Sequence, residues 1–482
     1  MKKILCPIFS HSRKSPDSVA IFSKIEKTTY YDLNLLINKI SMKLKSLGIG
    51  AGDRVLIRSK NSFELIVTIF SLLRLNATAC PLNYRFPKSK ISNIAENINA
   101  ASFIFSEDEK INIQNIISYS LTDIFSDKSQ YIKDIIPELD LEQDATIILT
   151  SGSSGMEKAV LHTIGNHYYS ALGSNENIKL IKGDIWLLSL PLFHIGGLAI
   201  LFRVFLAGVS VFLSEDGKSY KSDILNFDIT HVSLVESQLS DLMETVKKNG
   251  KKFPKSLKAI LIGGGPTSVS LLTEAINFGV PLYSTYGMTE MSSQITTSPE
   301  PLKIDDPGHS GKLLPYRTLK IDKRGEIFAG GKTLFKGYIK KGKVIGRKED
   351  HRFPTGDMGM IDKRGLLYIK GRSDNMFISG GENIYPEEIE IELLKIKKII
   401  DATVIPVRDS RFGLRPVCFL KVKNNFSYTK KELTSIMKKS LPSFKIPVRL
   451  FIYRDEGTPG LKKERKHFIK MLKKQSYLKE IL

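Results

Sequence analysis

Cysteine is scarce in this sequence: Cys6, Cys80 and Cys418 are the whole supply among 482 residues. Their wide separation excludes a disulfide framework and a clustered zinc site, and it fits a reducing, cytoplasmic setting. Long apolar runs are missing too, and no stretch approaches the roughly 20 apolar residues of a membrane span. The opening MKKILCPIF has two lysines, but its apolar run is too short for a secretory signal core and Pro7 breaks it. Negative charge is the third deficit: 50 Asp and Glu stand against 72 Lys and Arg, a formal net charge of +22. Residues 375–482 hold 23 Lys and Arg against 12 Asp and Glu, more than three times the net charge density of the rest. Such an excess suits nucleic acid, a polyanionic small molecule, or simply a lysine-rich solvated surface. Aromatic residues do not interleave with the lysines in any recognition pattern, so nucleic acid is not expected as a partner.

What is present has the composition of an ordinary globular protein, in a length that suits two or three domains. Up to about Leu213, apolar runs alternate with helical patterns. VLIRS near 55, ASFIF near 101, WLLSLPLF (186–193) and VSVFL (209–213) read as buried strands, and FELIVTIFSLLRL (63–75) as a helix. LKAILIGGG (257–265) reads as a strand running into glycines. Strand–helix alternation at this length predicts parallel sheets covered by helices. After Pro301 the pattern becomes short strands and turns, with Asp-Lys-Arg-Gly between β-like arms in RTLKIDKRGEIFAGG and again in MGMIDKRGLLYIKGR. Beyond Gly371–Asp374, PEEIEIELLKI reads as a helix, VCFLKV as a strand and KKELTSIMKKSL as a helix. The expected fold is α/β, with a large domain over 1–373 containing a β-rich subdomain and a small mobile α+β domain over 374–482.

The most informative stretch is ATIILTSGSSGMEKAVLHTIGNHYYSA, 145–171. The apolar run Ile147–Leu149 reads as a strand that enters a loop of Thr150, Ser151, Gly152, Ser153, Ser154 and Gly155, with Lys158 close behind. Small residues let backbone N–H groups turn inward, hydroxyls add donors, and a lysine supplies a point charge, so the segment suits phosphate oxygens. The common phosphate loop is ruled out, because Glu157-Lys158-Ala159 stands where that motif needs Gly-Lys-Ser/Thr.

Six further segments follow in order: PLFHIGG (191–197), IGGGP (262–266), YGMTE (286–290), PTGDMG (354–359), GRSDNMFISGGENIYPEEIE (371–390) and PGLKKER (459–465). Together the seven resemble the acyl-adenylate-forming (AMP-binding) superfamily of acyl-CoA ligases, nonribosomal adenylation domains and luciferases. Within it, HTIGNHYYSALGS, WLLSLPLFHIGGLAILFRVFLAG and YGMTEMSSQITTSPE look like the o-succinylbenzoate–CoA ligases of menaquinone biosynthesis.

The resemblance implies ATP, Mg²⁺ and coenzyme A as reactants and cofactor, and a small-molecule carboxylic acid as substrate. It implies that residues 150–158 hold the β- and γ-phosphates, that Gly264, Gly265 and Pro266 line the adenine with Tyr286 stacking on it, and that Gly287 and Met288 also belong to the ATP site. Thr289 would touch the α-phosphate, Glu290 would bind Mg²⁺, and Asp357 and Arg372 would serve the ribose. Lys462 is the implied catalytic lysine, chosen over Lys463 by the register Gly-x-Lys-x-x-Arg ending at Arg465. His194 would gate the acyl pocket, Asp374 would be the hinge, and Gly380, Gly381 and Glu382 would line the thiol channel. Ser292, Ser293 and Gln294 offer polar contacts to the acid. Glu236 stands where the ligases carry a neutral residue, and pointing inward it would repel a dicarboxylate. A CoA ligase for another aryl or fatty acid, an enzyme that loads a carrier protein, and a non-catalytic nucleotide sensor remain as alternatives. The intact Lys158, Glu290, Asp357 and Lys462 speak against the last.

Overall fold

The computed structural model describes residues 3–106, 113, 116–126, 136–151, 157–214, 219–265, 267–346, 352–396, 398–423, 426–453, 465–474 and 478–481. Two large sheets form its body. In the eight-stranded sheet, Thr78–Leu82, Arg54–Arg58, Ser102–Phe105 and Ile117–Ser120 run parallel beside Asp144–Ser151. From Asp144–Ser151 onward the pairing becomes antiparallel, through Glu157–Thr163, Gly337–Lys340 and Lys343–Gly346. The nine-stranded sheet is parallel from Leu282–Met288 across to Val19–Phe22 and antiparallel at both edges. The expected parallel sheets are therefore mixed sheets. Wherever a short loop rather than a crossover helix joins neighbouring strands, the chain can only turn back antiparallel.

Burial explains the helices between the sheets. Phe63–Arg74 has Leu65 through Leu73 buried on all faces, as a helix enclosed by a core should. Its N-cap Ser62 accepts from the Leu65 N–H at 3.1 Å. It packs in one cluster with Ile37 and Ile40 of helix Tyr30–Ser46 and Val204 and Phe205 of helix Ile195–Ala207. The strand expected over 186–193 ends at Leu188. Beyond it the Asn61 amide donates to Leu190 O and accepts from Leu192 N, both at 2.9 Å, in place of a neighbouring strand.

The β-rich part after Pro301 is an antiparallel sheet of Arg317–Ile321, Glu326–Gly331, Arg352–Ile361 and Leu367–Arg372. The two Asp-Lys-Arg-Gly segments are its hairpin turns, each with the Asp side chain accepting backbone N–H groups (Asp322 from Arg324 and Glu326, Asp362 from Arg364 and Leu366). A 3₁₀ turn at Ser373–Asn375 leads to a small sheet of Ile399–Asp409, Gly413–Val422, Arg449–Tyr453 and Leu478–Glu480. Helices Pro386–Leu394 and Lys430–Met437 fall where the sequence places them, and share that sheet's core through Ile389, Leu393, Leu433 and Met437. Among the described residues, no helix is long and apolar enough to cross a membrane.

Candidate active site

Lys158 faces Thr150 across the hairpin formed by Asp144–Ser151 and Glu157–Thr163. The loop between these strands thus joins two antiparallel strands. Its Gly152, Ser153, Ser154 and Gly155 lie outside the described residues, as do Pro266 and Lys462, and of Ser151 only the backbone is described. Lys158 is exposed, with its ammonium 5.6 Å from the centre of the Tyr338 ring. The Tyr338 hydroxyl in turn donates to Glu290 Oε1 at 2.7 Å. One aromatic ring therefore links the loop lysine to the carboxylate expected to meet a metal.

Glu290 sits in a short turn, Thr289–Met291, between strands Leu282–Met288 and Ser293–Thr297. The strand leading in must pass very close to its partner: a Cβ at Gly287 would come within 2.0 Å of Ser293 O, so only glycine fits. The chain then reverses through Ser292 and Ser293, both at positive φ (53° and 106°). Such conformations are costly for non-glycine residues and persist only where neighbours enforce them. Here they do: Ser292 O accepts from Ser170 Oγ at 2.6 Å, and Ser292 Oγ donates to Thr333 O at 3.0 Å. The Thr289 carbonyl accepts from His162 Nε2 at 2.7 Å, and the Glu290 carbonyl from Phe335 N at 2.8 Å. Among the described residues no group of three His, Cys, Asp or Glu gathers to hold a metal. A single buried carboxylate fits Mg²⁺, which takes most of its oxygens from phosphate and water.

The ribose candidates Asp357 and Arg372 meet each other and the adenine candidate Tyr286, 71 residues before Asp357. The Tyr286 hydroxyl donates to Asp357 Oδ2 at 2.7 Å, and Arg372 Nη1 reaches Asp357 Oδ1 at 3.2 Å. Arg372 Nη2 continues to Asp374 Oδ2 at 2.9 Å. Burial pushes the Asp357 carboxyl above its ordinary pKa, opposed by the bonds from Tyr286 and Arg372. Burial and the neighbouring Asp357 charge push the Tyr286 phenol well above its usual range. Gly264 (φ +82°) and Gly265 follow strand Ala259–Ile262. Gly380 and Gly381, both at positive φ, form the two-residue turn of a hairpin in which Ser379 pairs with Glu382. That is the geometry that demands glycine. Gly380 N donates to Phe412 O at 3.0 Å, so this turn is held by the small sheet's own hairpin.

At the other end, His194 is exposed at the N-terminus of helix Ile195–Ala207, its ring 4.6 Å from that of Phe193. Six residues beyond the end of the PLFHIGG motif, the same helix carries Arg203. This side chain is 1 % exposed, donates to Ser293 Oγ at 3.0 Å, and lies 5.5 Å from the buried Trp186 ring. It has no ion-pair partner among the described residues, and its Nε has no hydrogen-bond partner. Burial lowers its pKa to about 10. Arg317, also buried, is a different case: backbone carbonyls of Gln294, Pro315 and Ser170 accept from its guanidinium. Gln294 Nε2 donates to Thr297 Oγ1 at 2.7 Å, while its Oε1 is buried without a partner. The concern over Glu236 is removed. Its carboxylate accepts from Ser268 N at 2.8 Å, at the start of helix Val269–Asn277, where the helix dipole favours a negative charge.

Sequence reasoning therefore missed Arg203, Tyr338, His162 and His167. The one available signal was Arg203 itself, a lone charge in the otherwise apolar ILFRVFLAG. Tyr338 is 48 residues from Glu290, and its bond to that carboxylate left no trace in local pattern.

With the geometry in place, comparisons with known proteins bear on it directly. The family described as AMP-binding enzyme matches residues 8–339, and its C-terminal domain matches residues 388–465. A 2-succinylbenzoate–CoA ligase of Bacillus cereus is 33 % identical over 445 residues, covering 90 % of this chain and 91 % of that protein. The o-succinylbenzoate CoA synthetase of Bacillus subtilis in complex with its acyl-adenylate intermediate has a TM-score of 0.87 and 28 % identity, covering 98 % of this chain and 99 % of the other. The same synthetase in complex with ATP and magnesium ion gives 0.83 and 28 %, over 94 % and 96 %.

Proposed function

Because this chain belongs to the AMP-binding enzyme family, we propose that it joins o-succinylbenzoate to coenzyme A through an acyl-adenylate. A carboxylate oxygen attacks the α-phosphorus of ATP, the bond to the β-phosphate breaks, and pyrophosphate leaves. The thiol of coenzyme A then loses its proton, its sulfur attacks the acyl carbon, and AMP departs. Both partners of the first step are anionic, so the site must neutralise charge and hold the reacting atoms in line. In this reading Lys158 faces the outer phosphates, Asp357 accepts from the ribose hydroxyls, and the Tyr286 ring stacks on adenine. Glu290 holds Mg²⁺, which when bound offsets phosphate charge. Lys462 serves the transition state of adenylation. We place the domain boundary at 373/374, with the small domain turning about Asp374 between the two half-reactions. Three free, buried cysteines support a reducing cytoplasmic location.

The observation that carries the choice of acid is Arg203. A buried guanidinium without a carboxylate is costly, by several kcal/mol in order of magnitude, unless a ligand completes it. An acid with a second carboxylate does so; benzoate or a fatty acid does not. The test is pyrophosphate release over a panel of acids, with coenzyme A or a carrier protein as acceptor. The expected result is AMP and pyrophosphate, fastest with o-succinylbenzoate and coenzyme A. Formation of ADP and phosphate would sink the adenylate mechanism, and a faster rate with benzoate or a fatty acid would sink the substrate assignment alone.

A further inference from the structure

Beneath the Thr289–Glu290 turn lie two histidines that no step above uses. His162 and His167 are 0 % and 1 % exposed, their rings 5.1 Å apart. Thr146 stands between them, its Oγ1 2.7 Å from His167 Nε2 and 3.5 Å from His162 Nδ1. His162 Nε2 lies 2.7 Å from the Thr289 carbonyl. A carbonyl can only accept, so His162 carries its proton on Nε2 and leaves Nδ1 as an acceptor. Two arrangements of the remaining protons are possible. If Thr146 donated to His167, that ring would hold its proton on Nδ1, which is buried and has no partner. An orphaned buried N–H is the costlier defect. In the other arrangement His167 Nε2–H donates to Thr146, Thr146 donates to His162 Nδ1, and only a lone pair is left unmet.

We propose that His167, Thr146 and His162 form a directional hydrogen-bond chain that positions the Thr289 backbone, and so the Thr289 contact with the α-phosphate, while the substrate carboxylate attacks. The three are positioning residues, and the proposal rests on reading the Thr289–Glu290 turn as the adenylation site. Aligned bonds polarise one another, so the last donor is strengthened by those behind it. The far end is anchored as well: the His167 ring stacks on Phe202 at 4.2 Å and 7°. Phe202 precedes Arg203 on helix Ile195–Ala207. The chain thus spans from the helix that bears the buried guanidinium to the turn that bears Glu290. His162 also sits on the strand that begins at Glu157-Lys158, so one side chain fixes the lysine's strand against the turn.

The test compares His162→Leu, His162→Gln and Thr146→Val in two assays: ATP–pyrophosphate exchange with o-succinylbenzoate, and thioester formation from pre-formed acyl-adenylate. Folding is checked by thermal melting. His162→Leu should lower the exchange kcat by about 100-fold, the scale of a misplaced reacting group, with KM for ATP changed less than about twofold. His162→Gln, whose amide N–H reaches for the same carbonyl, should recover most of that loss. Thr146→Val should lose about fivefold, the weight of one neutral hydrogen bond. Thioester formation should be nearly unaffected in all three. Equal loss of both half-reactions in a folded His162→Leu, or a folded His162→Gln as poor as His162→Leu, would overturn the proposal. Should His162→Leu fail to fold, Thr146→Val and imidazole nitrogen NMR of the wild-type protein decide: both rings should be neutral with the proton on Nε2. A proton on Nδ1 of either ring would refute the chain. Absence of pyrophosphate exchange with every acid would fell the proposed function, while the ring tautomers would still judge the chain by themselves.

Discussion

At the nucleotide end of the site, Tyr286, Asp357, Arg372 and Asp374 are joined in an unbroken series of hydrogen bonds and ion pairs. At the acyl end, the Arg203 guanidinium has the Ser293 hydroxyl and the Trp186 ring beside it and no carboxylate among the described residues, where Arg203 Nε, Gln294 Oε1 and Trp186 Nε1 are also buried without partners. Both ends bury charge, but only one completes it internally. A ribose hydroxyl arriving at Asp357 joins bonds that already hold their shape, which favours a preorganised pocket at little cost in ordering. On the proposed function, an acid arriving at Arg203 would supply the charge that the described fold leaves out. Nucleotide affinity should therefore be robust to single changes, and acid selectivity should hang on one side chain.

The largest expected effect lies outside both ends. Lys462→Ala should slow adenylation by roughly 100-fold or more, the scale for removing a transition-state charge donor, while thioester formation from supplied adenylate stays near normal. Equal loss in both half-reactions would mean one fixed site and no domain rotation. The same defect in Lys463→Ala instead would shift the register by one.

Arg203→Leu tests the contrast most directly. It should reduce kcat/KM for o-succinylbenzoate by roughly 100-fold, as expected for a desolvated charge pair, with KM for ATP unchanged. Because an unpaired buried charge is replaced by an apolar side chain, the melting temperature should hold or rise. A fall in stability with unchanged acid preference would show that Arg203 is complete without a ligand. At the nucleotide end, Tyr286→Phe removes one bond from a series and keeps the ring. KM for ATP should rise only about fivefold. A loss as large as that of Arg203→Leu would erase the distinction between the two ends.

A separate expectation concerns stability against pH. Burial lowers the His162 pKa from 6.5 to about 4, and His167 is lowered as well. Below pH 6.5 the unfolded chain binds protons that the folded chain refuses, so stability is complete above that value and falls with pH down to about 4. At pH 5 His162 alone contributes a loss of about 2 kcal/mol. Melting curves from pH 7 to pH 5 should show this decline, and it should be shallower in His162→Gln. A flat profile would place the rings in contact with water.

How far the site could be read from sequence follows the same division. The helix over 63–75, the strands near 55 and 102 and the Asp-Lys-Arg-Gly turns were readable because apolar period and turn chemistry are local signals. Motif order assigned Tyr286 to the adenine and Asp357 with Arg372 to the ribose, and the structure joins all three by hydrogen bonds. What escaped were contacts made across the sheets, from Tyr338 to Glu290 and from His162 to Thr289, which no periodicity encodes. The strand forecast past Leu188 failed because Asn61, more than a hundred positions away, supplies the bonds a sheet neighbour would have given. The direction of Glu236 was open in the sequence for a like reason: its partner, Ser268 N, comes from another element.

Trp186 is the chain's single tryptophan, set among 17 tyrosines, and its ring has both Arg203 and His231 as close neighbours. An indole held so close to a guanidinium emits under that cation's field, and the field changes when an anion neutralises it. Excitation selective for tryptophan therefore turns the whole protein into an optical reporter of one spot, the surroundings of Arg203 proposed to receive the acid, with no label attached. Titrating acids against that emission would order them by how well they engage Arg203, in the absence of ATP and before any bond is made.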